Sequence, residues 1–410
     1  MSFKFVHIAD VHLDTPFGNK DKSFRTSFSS YVKESFSKVV DLTIEEKANA
    51  LLIAGDLFDS GTLSFATEIF LTEQLNRLGD AGIRVFYAPG NHDPVSERLR
   101  IAWPSNVTVF DSHSPTAVEI KDNQGFVIAR IIGAGHEKKT VSENLAKLFE
   151  PCSKDGIPHI GLCHAMVNGY GGSEHDRYAP CEVEDLLEKN YMYWALGHIH
   201  KREVVSSSPY VVYPGNLIGR NVKETGQKGA YVVEINDGYV DLRFVPIAPI
   251  VWSVLDVKGL DFIDRPDKLI DLLKNRIAEE TGSMNKKIYL RINLAGPMLL
   301  YNEMKLEGNI EALREELMTE TGLSYIEIDT SGLAQPVDPA GYCNKPHVLG
   351  TALQLIERLK EDDKLLLSLK PDRLAGLASS NEDELLGYLR SLLENMDYDI
   401  TARLLKEEAQ

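Results

Sequence analysis

Five short groups of histidine, carboxylate and amide side chains occur in the first half of the chain, and each follows a run of apolar residues. Their nitrogen and oxygen atoms are ligands that Mn²⁺, Fe²⁺ and Zn²⁺ accept. Two such ions about 3.5–4 Å apart can clamp the attacking and leaving oxygens of a phosphoryl displacement. The residue types therefore favour metal-assisted hydrolysis at phosphorus. The groups are Asp10-Val11-His12, Gly55-Asp56-Leu57-Phe58-Asp59, Gly90-Asn91-His92-Asp93, His164 and Gly197-His198-Ile199-His200.

Each group taken alone has an ordinary structural explanation. Gly90-Asn91 is a common pair in turns, and Asp56 or Asp59 is a suitable N-terminal cap for a following helix. A single histidine such as His164 is more often structural than metal-binding. The five groups in this order, each beside the end of a predicted strand, favour one shared metal site over separate turns.

The elements that must position these groups alternate between strand and helix. Apolar runs predict strands at residues 3–8, 50–54 and 85–88, and helical spacing of apolar residues predicts helices around 28–40 and 69–82. In open α/β sheets, sites form outside the carboxyl ends of the strands, so we expect the groups along one rim. Three glycines would let the backbone turn tightly beside the metals. They are Gly55, Gly90 and Gly197.

From residue 107 onward, short strands dominate, with predicted helices at 141–149 and 183–189. The stretch 331–346 contains three prolines and two glycines and is typical of a linker. Leucine-rich segments follow it. These leucines either pack against one another in a small helical unit or form a docking face for a partner protein.

The sequence thus predicts three regions. Residues 1–250 form a catalytic domain, residues 251–332 form a small α+β module, and residues 333–410 form a linker and a helical C-terminal region.

Composition and charge exclude several classes of protein. Hydrophobic residues make up 43% of the chain and charged residues 26%, as in ordinary globular proteins. The net charge of −17 excludes a freestanding basic coat protein, but a nucleic-acid enzyme could take positive charge from metal ions or a partner. No apolar run reaches the ~18 residues that span a bilayer. The four cysteines lack CxxC spacing, so we expect a reducing, cytoplasmic location and no membrane partner.

The five groups, in this order, resemble the motifs of the calcineurin-like metallophosphoesterases over about residues 1–250. Three stretches, 9–17, 196–204 and 213–235, further resemble the SbcD-like DNA repair exonucleases, particularly the YhaO-type branch. This resemblance implies an α/β fold, namely a four-layer metallophosphoesterase sandwich. It also implies a small α+β capping domain and a helical C-terminal segment.

The resemblance implies two sets of metal ligands that share one carboxylate, with Mn²⁺ as the expected ion at both sites. The first set is Asp10, His12, Asp56 and His200, and the second is Asp56, Asn91, His164 and His198.

The resemblance also implies roles for residues that hold no metal. His92 matches the catalytic histidine of the family, and either Asp93 or Asp59 would orient its imidazole. Arg220 could contact a phosphate, for which arginine forks are suited, and an ordinary surface position is equally compatible with its place in the sequence.

The implied reaction is phosphodiester hydrolysis. A hydroxide held by the two metals would attack phosphorus in line, and His92 would stabilise the transition state or protonate the leaving sugar oxygen. We therefore expect a DNA exo/endonuclease in repair that works with an SMC-like ATPase partner, and a homodimer is compatible with this assignment. One alternative is a phosphodiesterase or phosphatase for small molecules. The other is a non-catalytic scaffold, which would be expected to have lost ligands.

Overall fold

The computed structural model describes residues 2–17, 22–59, 63–97, 101–153, 155–170, 178–282, 287–369 and 382–398, together with residues 400, 401 and 404. The chain divides into two compact units, Met1–Val251 and Trp252–Gln410. Among the helices in these ranges, none combines the length and the apolar character that a membrane crossing requires.

The first sheet of the N-terminal unit carries the predicted alternation of strand and helix. Its strands are β1 (Ser2–Ile8), β2 (Ala50–Ile53), β3 (Arg84–Tyr87), β4 (Val107–Val109), β11 (Gly229–Asn236) and β12 (Tyr239–Pro246). They lie in the order β12-β11-β1-β2-β3-β4. Strands β1 to β4 are parallel, and β11 joins β1 in the antiparallel direction. Because β1, β2 and β3 run the same way, their carboxyl ends meet at one edge.

The second sheet has the same number of strands. They are β5 (Thr116–Lys121), β6 (Val127–Ala134), β7 (His159–His164), β8 (Tyr193–Gly197), β9 (Glu203–Ser207) and β10 (Tyr210–Tyr213). Their order is β5-β6-β7-β8-β10-β9, with the edge strands β5 and β9 antiparallel to their neighbours. The central strands are parallel. The predicted α/β class is therefore confirmed, with two mixed sheets.

The two sheets face each other across an apolar core. Alternate residues of β1 point into this core, where Phe5 meets Tyr193 edge to face with ring centroids 5.2 Å apart. His7 lies in the same layer, and its Nδ1 is 3.0 Å from the Tyr193 hydroxyl. Burial lowers the pKa of His7 to about 3, so this histidine is a neutral member of the core.

Helices pack against both sheets. Helices α1 (Lys22–Glu45) and α2 (Phe65–Asp80) contact strands of the first sheet and are joined by an ion pair of 2.6 Å between Arg77 and Asp41. Helix α3 (Val183–Leu187) packs beside the second sheet, where its Leu186 carbonyl accepts a hydrogen bond from Trp194.

One sequence prediction for this part of the fold is wrong, and one for the C-terminal unit is incomplete. The helix predicted at 141–149 is a single 3₁₀ turn, Leu145–Leu148, which begins where the Asn144 side chain accepts a hydrogen bond from the Lys147 amide. Pro151 disfavours a helical conformation at the preceding residue, which prevents the turn from continuing. The linker predicted at 331–346 is partly structured, because strand β15 (Tyr325–Ala334) and helix α6 (Ala340–Cys343) extend into it.

The C-terminal unit contains a three-stranded sheet. Strands β13 (Ile250–Val257), β14 (Lys287–Pro297) and β15 lie in that order, and β14 is parallel to β15. Helices α4 (Pro266–Thr281) and α5 (Glu307–Thr321) pack with the sheet around an apolar cluster that includes Leu273, Leu290 and Leu317. An α+β module is thus present, and its role as a cap stays a prediction.

Helices α7 (Val348–Glu361), α8 (Asp363–Ser368) and α9 (Glu382–Leu392) follow in the same unit. Three leucines of these helices and the residue that follows α9 form a small buried cluster, which agrees with the first of the two explanations for these segments. The members are Leu359, Leu366, Leu389 and Leu393.

Candidate metal centre

The loops that follow β1 and β2 run side by side at the carboxyl edge of the first sheet. The amide of Asp10 donates to the Gly55 carbonyl over 3.1 Å, and the amide of His12 donates to the Asp56 carbonyl over 3.0 Å. The backbone is left-handed at Asp10 (φ 51°), His12 (φ 52°) and Asp56 (φ 48°). Such conformations cost on the order of 1–3 kcal/mol for non-glycine residues and are concentrated at functional sites.

Of the three glycines predicted to allow tight turns, Gly90 and Gly197 are instead required by the close approach of neighbouring loops. Gly55 does have a left-handed backbone, with φ +83°. A Cβ atom at Gly90 would lie 2.2 Å from Oδ1 of Asp56, and one at Gly197 would lie 1.7 Å from the Ala54 carbonyl oxygen. These two glycines are needed because the loops approach each other too closely for any side chain.

The first group of converging side chains is Asp10, His12 and His200. The two Nε2 atoms of His12 and His200 are 3.3 Å apart, and Nε2 of His200 is 3.8 Å from Oδ1 of Asp10. Asp10 and His12 are buried. One small volume is therefore lined by two imidazoles and a carboxylate.

A carboxylate fixes the far side of the His200 ring. Nδ1 of His200 lies 2.7 Å from a carboxylate oxygen of Glu224, so Nδ1 donates and Nε2 faces the group as an acceptor. Nδ1 of His12 lies 2.9 Å from Oδ1 of Asp59 but makes no hydrogen bond with the described residues. Because Nε2 of His12 and Nε2 of His200 are 3.3 Å apart beside the Asp10 carboxylate, these residues fit a divalent metal.

The second group of converging side chains is Asp10, Asp56 and His164. Nδ1 of His164 donates to the Ala54 carbonyl over 2.9 Å, so Nε2 faces the group as an acceptor. This Nε2 lies 3.0 Å from Oδ1 of Asn91 and 3.4 Å from Oδ2 of Asp56. Three acceptor atoms again converge, as a second cation would require.

His198 joins this group through its backbone and its ring. Its amide donates to both carboxylate oxygens of Asp10 at 3.2 Å, and its backbone is in the left-handed region with φ 101°. Its ring meets that of His164 edge to face, with centroids 5.3 Å apart. His198 thus lies beside the second group and supports the carboxylate of the first.

Asp56 belongs to both sides of the site. Its Oδ2 is 3.4 Å from Nε2 of His164 and 3.9 Å from Nε2 of His12, while its Oδ1 accepts a hydrogen bond from the His92 amide. A carboxylate between two such groups is the arrangement that a shared ligand needs.

The buried charges explain why the centre suits cations. Burial raises the pKa of Asp10 and of Asp56, and the neighbouring Asp56 charge raises that of Asp10 further. Burial also lowers the pKa of His12 and of His164, which keeps both rings neutral. Metal charge would reverse the penalty on the carboxylates and use the neutral imidazoles as ligands.

His92 lies at the exposed side of the site, with 40% of its side chain accessible. Its Nδ1 is 3.4 Å from Oδ1 of Asp59. The same oxygen is 3.0 Å from Nη1 of Arg220. Asp59 is therefore the carboxylate beside His92, and Arg220, which the sequence assigns to phosphate, contacts this carboxylate.

Asp93, the other candidate to orient His92, holds the backbone instead. Its carboxylate accepts hydrogen bonds from the Tyr87 hydroxyl at 2.5 Å, the Gly90 amide at 2.7 Å and the Phe58 amide at 3.1 Å. Burial raises the pKa of Asp93 to about 6. These contacts tie the loop after β3 to the loop after β2.

Glu224 is a supporting residue that sequence reasoning missed. One of its oxygens accepts from His200, and the other accepts from the Asn216 side chain at 2.7 Å and the Arg220 amide at 2.6 Å. Burial acts to raise the pKa of Glu224, but the hydrogen bond from His200 and nearby positive charge outweigh it, and the pKa is about 2. No local pattern marks this position, since its partner is 24 residues away.

Lys228 is a second missed residue. Its buried ammonium donates to the His200 carbonyl over 2.8 Å. Burial lowers its pKa, while the charges of Glu224 and Asp10 act in the opposite direction. This lysine fixes the backbone of one predicted ligand and offsets the negative charge beneath the site.

Comparisons with known proteins agree with this geometry. Residues 3–202 match the family model of the calcineurin-like phosphoesterases. The chain is 38% identical over 324 residues to the uncharacterized metallophosphoesterase YhaO of Bacillus subtilis, covering 76% of this chain and 77% of that protein.

A more distant relative has a name that refers to DNA repair. The DNA double-strand break repair protein Mre11 of Sulfurisphaera tokodaii is 28% identical over 293 residues, which cover 69% of each chain. Among solved structures, a dimetal phosphatase from Danio rerio matches with a TM-score of 0.37 and 13% identity, covering 59% of this chain and 95% of that chain.

Proposed function

The chain belongs to the calcineurin-like metallophosphoesterase family, and we propose that it is a dimetal phosphodiester hydrolase that acts on DNA. The observation that carries the proposal is the position of Asp56, whose Oδ2 lies within 4 Å of an imidazole nitrogen from each group. Two metals that share a carboxylate act on both oxygens of a phosphoryl displacement, which is the chemistry of phosphoesterases.

The proposed ligand sets are those that the resemblance implies, and they overlap the groups of converging side chains, although Asp10 lies in both described groups and His92 also converges with His12 and Asp56. The proposed ligands of the first metal are Asp10, His12, Asp56 and His200, and those of the second are Asp56, Asn91, His164 and His198. Bound divalent ions, for which Mn²⁺ is our proposal, would neutralise phosphate charge and lower the pKa of water. Support comes from Nε2 of His12, His200 and His164, each of which lies within 4 Å of a carboxylate oxygen of Asp10 or Asp56.

His92 would act on the leaving group. Its side chain is 40% accessible, whereas the ligand His12 behind it is fully buried. A ring at this position can reach a bound phosphodiester and give a proton to the departing sugar oxygen. Asp59, beside Nδ1 of His92, would orient the ring, which makes Asp59 a positioning residue.

The proposal of DNA as substrate rests on the relationship to a protein named for DNA double-strand break repair. The net charge of −17 opposes strong binding of DNA by the chain alone. We therefore propose that an SMC-like ATPase partner supplies affinity. The region 251–332 would serve as the capping domain.

The experiment compares labelled DNA with a small diester. Protein loaded with Mn²⁺ is incubated with 5′-labelled single- and double-stranded DNA and, separately, with bis(p-nitrophenyl) phosphate. His92→Ala and His198→Ala are assayed beside wild type, and His113→Ala, a half-exposed histidine paired with Glu137, is the matched control. We expect shortened DNA, with the rate reduced at least about a hundredfold in both site variants and unchanged in the control.

Metal content separates the two variants. His92→Ala is expected to keep both ions, and His198→Ala is expected to lose one. Cleavage of the small diester with intact DNA would make the substrate a small molecule or make the partner obligatory. Retention of both metals without any hydrolysis would instead support a non-catalytic scaffold.

A further inference from the structure

His136 is a fully buried histidine that lies outside both sets of proposed metal ligands. It follows β6 by two residues, and β6 is the parallel neighbour of β7, whose last residue is His164. Nε2 of His136 lies 2.6 Å from the His164 carbonyl oxygen, so this nitrogen donates a hydrogen bond to the backbone of a proposed ligand. The two rings also meet edge to face, with centroids 5.5 Å apart.

The backbone of His136 holds the loop that carries Asn91. Its amide donates to the Pro89 carbonyl over 2.9 Å, and its carbonyl accepts from the Val95 amide over 2.9 Å. These two contacts lie on either side of Asn91 along the chain. His136 thus joins the loop of Asn91 to the strand end of His164, and Oδ1 of Asn91 lies 3.0 Å from Nε2 of His164.

A buried histidine at this position carries a cost in stability. Burial lowers the pKa of His136 to about 4, so the ring is neutral and its one hydrogen is on Nε2. Nδ1 is then a buried acceptor, and none of the described residues donates a hydrogen bond to it. A phenylalanine would fill a similar volume without an unpaired nitrogen. What the imidazole adds to a phenyl ring is the hydrogen that it donates to the His164 carbonyl.

We propose that His136 is a positioning residue for the second metal site. Its side chain fixes the backbone of His164, and its main chain fixes the loop of Asn91, so that the two proposed ligand atoms stay close enough to share one cation. The inference rests on the proposed function, because it concerns ligands of the proposed second metal. Among the described residues, the hydrogen-bond partners of His136 are His164, Pro89 and Val95, so the first metal site is expected to be independent of it.

Metal binding tests the proposal with a readout other than hydrolysis. Mn²⁺ is titrated into the metal-stripped full chain by calorimetry for wild type, His136→Phe and His136→Gln. Phenylalanine keeps a ring and removes the donor, whereas the glutamine side-chain amide can donate from the place of Nε2. We expect His136→Phe to weaken the second site about 10- to 100-fold with the first site unchanged, and His136→Gln to recover most of the lost affinity.

The matched control is His159→Phe. His159 is also a buried histidine beside a backbone carbonyl, with Nδ1 2.8 Å from the Ile157 oxygen, but it begins β7, whereas His164 ends that strand. At about 3.3 Å per residue, the two histidines are about 16 Å apart. The control should leave both sites unchanged.

Three results of the titration would overturn the proposal. Wild-type affinity at the second site in His136→Phe would show that the hydrogen bond to His164 is not needed. Equal losses at both sites would indicate a general loosening of the fold. The same loss in His136→Gln as in His136→Phe would show that the donated hydrogen does not matter.

A measurement without metal separates this proposal from the proposed function. In EDTA, protein labelled with ¹⁵N at histidine should give a signal for the Nδ1 hydrogen of His164, which donates to the Ala54 carbonyl. It is identified as the signal that His164→Gln lacks. This hydrogen should exchange with solvent faster in His136→Phe than in wild type or His159→Phe. Faster exchange in a protein that binds no Mn²⁺ would refute the proposed function and support the positioning role, whereas unchanged exchange would overturn that role whatever the metal content.

Discussion

The buried floor of the metal centre and its exposed rim are built on different principles. The floor consists of Asp10, His12, Asp56 and His164, which are at most 1% exposed. The rim consists of His92, Asp59 and Arg220. In the floor, Nδ1 of His164 donates to the Ala54 carbonyl, so the protonation and orientation of this ring are set before any ligand arrives.

In the rim, Oδ1 of Asp59 accepts a hydrogen bond from Arg220 and lies 3.4 Å from Nδ1 of His92, whose side chain is 40% accessible. Ion pairs near the surface of a protein contribute little to stability. The difference indicates that the geometry of the floor is set by burial, whereas the contacts of the rim are exchangeable.

The largest effect should come from breaking the floor at its shared residue. Asp56→Asn removes the negative charge between the two groups, and we expect metal content and phosphodiesterase rate to fall by more than about a hundredfold. Metal analysis of the purified protein and the diester assay measure these losses. Asp155→Asn, a surface aspartate held by Arg130, is the control. Full activity in Asp56→Asn would show that the two groups do not share a ligand.

A smaller effect on metal binding is expected from Glu224, which holds a proposed metal ligand without itself lining the site. Both oxygens of Glu224 accept hydrogen bonds, one from His200 and the other from the Asn216 side chain and the Arg220 amide. The amide in Glu224→Gln has a single acceptor oxygen and cannot serve both, so the hydrogen bond that fixes the His200 proton is weakened. We expect Glu224→Gln to weaken Mn²⁺ binding at the first site by about 10- to 100-fold and to leave the second site unchanged. Titration calorimetry resolves the two sites. Glu234→Gln, a carboxylate on β11 paired with Lys4, is the control, and equal loss at both sites would contradict the division into two groups.

The smallest effect concerns His7, a buried histidine that lies outside both floor and rim. Its pKa is about 3 in the folded protein and about 6.5 in the unfolded chain, so the unfolded chain binds the proton more readily. The stabilising contribution is complete above pH 6.5 and is lost as the pH falls toward 3, at about 1.4 kcal/mol per pH unit.

Urea unfolding in EDTA between pH 7 and pH 5 should therefore have a shallower pH dependence in His7→Gln than in wild type. Replacement of the half-exposed His113 by Gln provides the comparison. If the slopes of His7→Gln and wild type coincide, His7 does not stay neutral in the core.

The sequence predicts most of the fold where burial is strong. The run at β2 is apolar throughout and was identifiable because both faces of a central parallel strand are covered. Strands β5 and β9 are not predictable from apolar runs, because they lie at sheet edges where exposed residues interrupt the apolar pattern. The 3₁₀ turn at Leu145–Leu148 was mistaken for a helix because apolar spacing alone does not register a cap or a following proline.

The candidate site was predictable to the extent that its residues follow strands. Asp10, Asp56 and Asn91 come two, three and four residues after the ends of β1, β2 and β3, and the parallel direction of these strands brings them together. Glu224 follows no strand end, and its role depends on a loop that returns from elsewhere in the chain. The partner of Arg220 was also beyond prediction, because a guanidinium can select phosphate or carboxylate with equal chemical logic.

The three glycines around His164 have a consequence for reading other sequences. A Cβ atom at Gly55 or Gly90 would come within 3 Å of the His164 ring, and one at Gly197 would come within 3 Å of its Nδ1. The absence of a side chain at these positions is thus as informative as the presence of a ligand. A paralogue that keeps every histidine and aspartate but carries alanine at one of them should have its His164 ring displaced from the position described here.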